Sequence, residues 1–241
     1  MAGITLSSGI ITGIARVTAI SGPATGWVDV VFTVGPPFYV DVVANPTNIG
    51  LNGQTSNIQA MVKDVGGNPV ADGTEVTFVT SLGLLGSDTV TGPTASGVAI
   101  AMLTSGTTAG TAVITATADS HYYTTQVVFS PDPPHNVTVT ADPMAIPADG
   151  VSTSTVRAMV IDQYGNMVAD GITCYFDTTL GSVWPPFNTT LNGVAETTLT
   201  SSETTGLAAV TATCESIPDT IYVSFYVPVF KVYLPTIFKA Y

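Results

Sequence analysis

"AMVKDVGGNPVADGTEVTFVTSLG" runs from residue 60 to 83, and "AMVIDQYGNMVADGITCYFDTTLG" runs from 158 to 181. The two stretches are copies of one pattern, and the copying continues on both sides. "VDVVANPTNIGLNG" (40–53) matches "VTVTADPMAIPADG" (137–150), and "LTSGTTAGTAVITATADS" (103–120) matches "LTSSETTGLAAVTATCES" (199–216). Self-similarity over such lengths is a whole-domain repeat, and finding it first prevents a wrong fold assignment.

Three end-strands, "VVF" at Phe32, "VVF" at Phe129 and "VSF" at Phe225, fall 97 and 96 positions apart. After each comes a Pro-bearing junction, then an alternating strand: "FYVDV", "HNVTV", "FKVYL". The chain therefore divides into a partial repeat (1–35), two whole repeats (36–131 and 132–228) and the opening strand of another (229–241).

Within each repeat, Val, Ile, Thr, Tyr and Phe alternate in short runs, which is the period of strands with one buried face. Turn sequences separate them: Gly66-Gly67-Asn68-Pro69, Asp72-Gly73 and Asn192-Gly193. No stretch has sustained helical periodicity. A domain of this length built from short strands predicts an immunoglobulin-like β-sandwich. Val76 and Phe78, and their counterparts Cys174 and Phe176, share one strand face and are expected in the core.

Charged residues make up 9% of the chain, against about 25% in an ordinary soluble domain. So weakly charged a surface needs covering, by neighbouring copies or by sugar. Net charge is −12, from 17 acidic and 5 basic residues, which argues against nucleic acid and anionic membranes as partners. The most apolar segment, 221–241, is broken by Lys231, Lys239, Pro228 and Pro235, so no membrane-spanning segment is expected. The first residues lack the basic and apolar regions of a signal peptide. An exported form would have lost its signal, or the chain is an excerpt of a longer one.

The motifs "ADG", "D-x-x-G-N-x-V-A-D-G-x-x-x-x-F", "T-x-L-G" and "L-T-S-x-x-x-x-G-x-A-x-V-T-A" resemble the bacterial Ig-like domains of the invasin and intimin group (Big-1-type repeats). The resemblance covers residues 38–130 and 135–227. It implies all-β, tandem Ig-like sandwiches, an extracellular or cell-surface location, and a spacer role in rods and adhesins. Neither a lectin-like tip nor a membrane barrel is present, so cell binding does not carry over with the resemblance.

Candidate chemistry is sparse. Cys174 and Cys214 align with Val76 and Ala118 of the first repeat, and a cross-sheet disulfide between them would imply an oxidising compartment. Two buried free thiols are the alternative. His121 is expected in a turn and His135 in the junction, neither in a catalytic motif. No phosphate loop, G-x-S-x-G or metalloprotease sequence occurs, and no enzyme activity or cofactor is expected. Asp64, Asp72, Asp162 and Asp170 recur; turn chemistry accounts for them, with calcium at the junctions as the alternative. Asn136 and Asn188 satisfy the N-glycosylation pattern, so surface glycans are candidate partners.

The two incomplete ends are complementary. Phe230, Val232, Leu234, Ile237 and Phe238 form a candidate donor strand. Ile14, Val17, Val28, Val30 and Phe32 form the candidate acceptor in the next copy, giving a head-to-tail homopolymeric filament. A stalk segment of an adhesin is the second expectation. A carbohydrate-binding accessory module is the third, although Trp27 and Trp184 sit in separate repeats and form no shared platform.

Overall fold

The computed structural model describes residues 3–86 and 89–228. It divides into two compact units, residues 1–130 and 131–241. All of its elements are strands.

The first unit opens with a hairpin, β1 (Gly13–Ser21) and β2 (Ala24–Phe32). The first whole repeat follows. It comprises β3 (Tyr39–Asn45), β4 (Asn48–Ile49), β5 (Thr55–Lys63), β6 (Glu75–Thr80), β7 (Thr89–Pro93), β8 (Val98–Thr104), β9 (Gly110–Ala118) and β10 (His121–Phe129). Strands β3-β5-β8 form one sheet and β4-β10-β9-β6-β7 the other. Alternation along β5 and β9 buries Ile58, Ala60, Val62, Ala112, Ile114 and Ala116 between the sheets.

The second unit repeats the plan with β11 (Asn136–Asp142), β12 (Ala145–Pro147), β13 (Thr153–Ile161), β14 (Thr173–Thr178), β15 (Ser182–Trp184), β16 (Phe187–Thr189), β17 (Val194–Thr200), β18 (Gly206–Cys214) and β19 (Ile217–Tyr226). Its sheets are β11-β13-β17-β15 and β12-β19-β18-β14-β16. Two facing sheets with a core between them are the Ig-like sandwich. Val139, Val156, Phe176, Leu199, Val210 and Val223 belong to that core.

The "T-x-L-G" motif has a steric cause. Gly83 and Gly181 adopt φ of 77° and 75°, a region that costs other residues strain. A Cβ on Gly83 would stand 2.8 Å from the Phe129 ring, and one on Gly181 3.0 Å from the Phe225 ring. Each glycine thus lets the backbone cross the buried phenylalanine that ends its repeat.

The hairpin is a third copy of the repeat's closing hairpin. Gly13 pairs with Phe32 and Ser21 with Ala24. Gly110 pairs with Phe129 and Ala118 with His121, as Gly206 does with Phe225 and Cys214 with Ile217. The first turn residue is Gly22, Asp119 or Glu215, with φ of 57°, 54° and 55°. The turn at 119–120 corrects the expectation for His121: that residue begins β10, because the tight two-residue turn ends before it.

Candidate functional site

Each whole repeat holds one buried aspartate where the chain enters it. Asp64 follows β5 directly, in the bend that the glycines of "DVGGN" permit. Its carboxylate accepts hydrogen bonds from the Gly66 and Asn68 N–H groups, both at 2.9 Å, and from Asn68 Nδ2. It also accepts from the N–H of Gly35, at 2.9 Å, in the segment leading into the repeat. Asp162 does the same one repeat later. Tyr164 and Asn166 N–H groups donate to it at 2.9 Å, Asn166 Nδ2 donates to Oδ2, and the N–H of Asp132 reaches Oδ2 at 3.2 Å. Gln163 Nε2 adds a bond of 2.7 Å to the Asp132 carboxylate.

The aspartates are thus latches as well as turn residues. Asp64 is 4% exposed and Asp162 1%, and a buried carboxylate is tolerated because N–H donors surround it. The Gly35 N–H, then the Asn68 side chain, lower the Asp64 carboxyl against the opposing effect of burial; the Asn68 and Gly66 N–H groups add to this. At Asp162 burial pushes the carboxyl up, but the combined bonds from Asn166, Tyr164 and Asp132 outweigh it and hold it low. Both oxygens of each face N–H dipoles, an arrangement that suits an anion and opposes a cation beside it. Asp72 and Asp170 accept the N–H groups of Ser96 and Asn192, each at 2.6 Å.

The hairpin sits against the first latch. Asn68 Nδ2 donates to the Ile10 carbonyl at 2.8 Å. A groove of about 330 Å³ runs between the hairpin base and the latch loop, lined by Ile10, Ile11, Phe32, Asp64, Val65 and Gly66 among others. Cross-strand pairing places Val17, Val28, Val30 and Phe32 on one face with Ala15 and Ala19. These positions correspond to Ile114, Thr125, Val127, Phe129, Ala112 and Ala116 of the complete repeat. There Val127 and Phe129 are buried; here their counterparts Val30 and Phe32 are half-buried.

Ile14 does not belong with them. It pairs with Val31 on the opposite face, because side chains alternate and 14 is out of phase with 17. That opposite face carries a two-pronged ion pair, Arg16 to Asp29 at 2.8 and 2.9 Å, with the guanidinium 4.1 Å from the Trp27 ring centroid.

Cys174 and Cys214 are joined by a disulfide, and both are fully buried. They face each other on adjacent antiparallel strands β14 and β18, with Cα atoms 4.1 Å apart. The bond lies within one sheet, which corrects the cross-sheet expectation: β6 and β9, and so β14 and β18, are neighbours in the strand order.

A family model described as Invasin, domain 3 matches residues 39–132 and again 133–227. The chain belongs to this family. The solved structure of InvD from Yersinia pseudotuberculosis has its fold, with a TM-score of 0.61 at 22% identity over 82% of this chain and 60% of that one. Invasin, a bacterial integrin-binding protein, is 27% identical over 79% of this chain and 40% of its own, at a TM-score of 0.42. The Yersinia pseudotuberculosis adhesin InvE is 25% identical over 78% of this chain and 59% of its own, at 0.40. This chain spans less than two thirds of the length of each of these structures.

The remaining candidates are scattered over the two invasin domain 3 repeats. His121 lies against Phe38, ring centroids 5.1 Å apart, and its Nδ1 has no hydrogen-bond partner among the described residues. His135 donates its N–H to the Ile161 carbonyl. Asn136 is exposed at the start of β11. Asn188 lends Nδ2 to the Glu196 carbonyl at 3.0 Å, so its amide closes part of the β17 edge. Phe230, Val232, Leu234, Ile237 and Phe238 lie outside the described residues. Among those described, no helix is long and apolar enough to cross a membrane. The linker partners of the latch, Gly35 and Asp132, escaped sequence reasoning. The signal was the Pro-bearing junction lying 29 and 30 residues before the two "D-x-x-G-N" aspartates.

Proposed function

We propose that the chain is a stalk segment of a bacterial surface adhesin, a non-catalytic spacer that works outside the cell. One observation carries this reading. Two successive invasin domain 3 repeats each tie their entering segment down with a buried aspartate, Gly35 to Asp64 and Asp132 to Asp162. A spacer needs repeats that fold as closed units from their first residues, and an N–H bonded to a desolvated carboxylate ties the entering segment to its own repeat. Binding to a host receptor would belong to other parts of a longer protein.

The reading is tested by grafting residues 36–228 between an outer-membrane anchor and a binding tip of known ligand. The expected result is surface display with the tip active, while the same graft without the tip leaves cells non-adherent. Adherence of the tipless graft would make the repeats themselves the binding element and overturn the spacer role.

A second reading has its own observation in favour. The β1–β2 hairpin repeats β9–β10 and β18–β19 in register, with its core-equivalent face half-buried where theirs is buried. In this reading copies join end to end, as a homopolymeric filament built by strand addition on that hairpin. Mixing differently tagged copies and co-purifying them through one tag tests it; absence of mixed species would count against it.

A further inference from the structure

We propose that the open edge of β3 receives an extended, basic segment of another protein as an added strand, with a lysine or arginine of that segment beside Asp41. A lateral contact of this kind goes beyond the spacer reading and is independent of it.

The two repeats differ at this edge. β3 pairs with β5 on one side only, as β11 pairs with β13. Val62 and Val160 donate toward the other neighbour, to the Gly97 and Gly193 carbonyls, each at 2.8 Å. Strand bonds alternate sides. Met61 and Met159 therefore bond toward β3 and β11, and the N–H groups of Val42 and Val139 point out from the edge. In the second repeat that N–H is taken: Val139 donates to Asp219 Oδ2 at 2.7 Å, a side chain reaching across from β19. Tyr123 holds the place of Asp219 in the first repeat, and the Val42 N–H has no partner among the described residues. A charged side chain laid against an edge N–H blocks pairing with a further strand. β11 has this block and β3 does not.

The outer face beside the edge differs too. Asp41, Val43, Gln59, Met61 and Val98 surround a dimple of about 60 Å³. Asp41, Val43 and Met61 are exposed. In the second repeat Thr138, Thr140 and Arg157 hold the places of Asp41, Val43 and Gln59, and Arg157 meets a carboxylate of its own sheet, Glu196, at 2.8 Å. In the first repeat Asp41 has neither a side-chain hydrogen bond nor an ion pair among the described residues; Lys63 stands opposite Tyr39, two places along.

The dimple fits a cation on an apolar stem. Val43, Met61 and Val98 take the methylenes and Asp41 takes the charge. In an added strand, the residue opposite Asp41 stands on this same outer face, with Cβ atoms about 4.5–5.5 Å apart. The next residue on that face stands beside Val43, where an apolar side chain fits. A second copy pairing through the same edge would bring another Asp41 to the site, and like charge disfavours it. The chain as a whole has 17 acidic residues against 5 basic ones. A basic strand from a different protein is the occupant that both the edge and the face suit.

The probe is the end-blocked peptide Thr-Val-Thr-Lys-Thr-Val-Thr, titrated by NMR into the whole chain, with amide hydrogen exchange as the second readout. Binding is expected to slow exchange at Val42 and at its edge neighbours Val40 and Ala44, and to leave Val139 unchanged. A twin peptide with glutamate in place of lysine should bind about fivefold more weakly, and Asp41→Asn should remove that preference. Tyr123→Asp gives the first repeat the block of the second, at an exposed position. It should abolish the protection at Val42 although it adds negative charge, which would strengthen a merely electrostatic contact. Unchanged exchange at Val42 with the lysine peptide, or equal binding by the Tyr123→Asp chain, overturns the inference. So does protection of Val42 that rises with protein concentration alone, since a second copy would then hold the edge. None of these outcomes alters what the tipless graft shows, so the spacer reading is judged apart.

Discussion

Where Val43, Gln59 and Ile100 stand in a row across β3, β5 and β8, the second repeat carries Thr140, Arg157 and Glu196 across β11, β13 and β17. Arg157 and Glu196 meet at 2.8 Å. Ile100 and the neighbouring Met102 are 57% and 55% exposed. The inward rows of the same strands are near copies: Ile58, Ala60 and Val62 match Val156, Ala158 and Val160, all buried. Packing constrains the inward row because each side chain must fill a fixed volume. The outward row meets solvent and is free to differ. The repeats therefore agree on what makes a sandwich and differ on what one presents. The other difference is covalent: Val76 and Ala118 stand where the second repeat has its disulfide.

The strongest way to break the comparison is to make the second core like the first. Cys174→Val with Cys214→Ala supplies the first repeat's residues and removes the cross-link between positions 40 apart. A loop of that size is worth roughly 4 kcal/mol in the chain-entropy model. Urea unfolding followed repeat by repeat should show the second repeat weakened by about that amount and the first unchanged.

Gly83→Ala and Gly181→Ala probe what the repeats share. Each puts a Cβ against a buried phenylalanine at positive φ, and each should lower its own repeat by about 2 kcal/mol. Equal losses would sharpen the claim that the frames are the same; a loss in one alone would break it.

Asp64→Asn and Asp162→Asn probe the latches through pH. The folded carboxyls are held below their ordinary value. Their contribution is therefore complete above the unfolded pKa, near about 4, and is lost as pH falls through the folded value. Each substitution should flatten the acid limb of its own repeat's stability profile. Hydrogen exchange at the Asp132 amide should quicken in the Asp162 variant and stay unchanged in the Asp64 variant.

The smallest effect is expected at the outer row. Gln59→Arg with Ile100→Glu copies the second repeat's ion pair into the first. Stability should move by no more than about 0.5 kcal/mol, since exposed pairs contribute little. Binding of an apolar dye to the first repeat should fall.

The fold was legible because the copies calibrate each other. Two runs matching over a whole domain fix where strands, turns and core positions fall. Asp64 and Asp162 were legible as turn residues, since Asp-x-x-Gly-Asn bends by side chain to backbone bonding. Their grip on Gly35 and Asp132 was not, because that bond spans about 30 residues and depends on where the strands bring the junction. The cysteine pair was legible as a pair, but its sheet was not, because strand order does not follow chain order here. Ile14 was misplaced by composition: it is apolar, but alternation from Val17 assigns it the other face.

The disulfide also determines how the two repeats respond to force. Pulled from its ends, the first repeat releases its full contour when it gives way. In the second, the segment from Cys174 to Cys214 cannot lengthen while the bond lasts. At about 3.4 Å per extended residue, roughly 135 Å of slack is withheld. A tether running through both repeats would meet a long compliant step from the first and, until a reductant breaks the bond, a shorter one from the second.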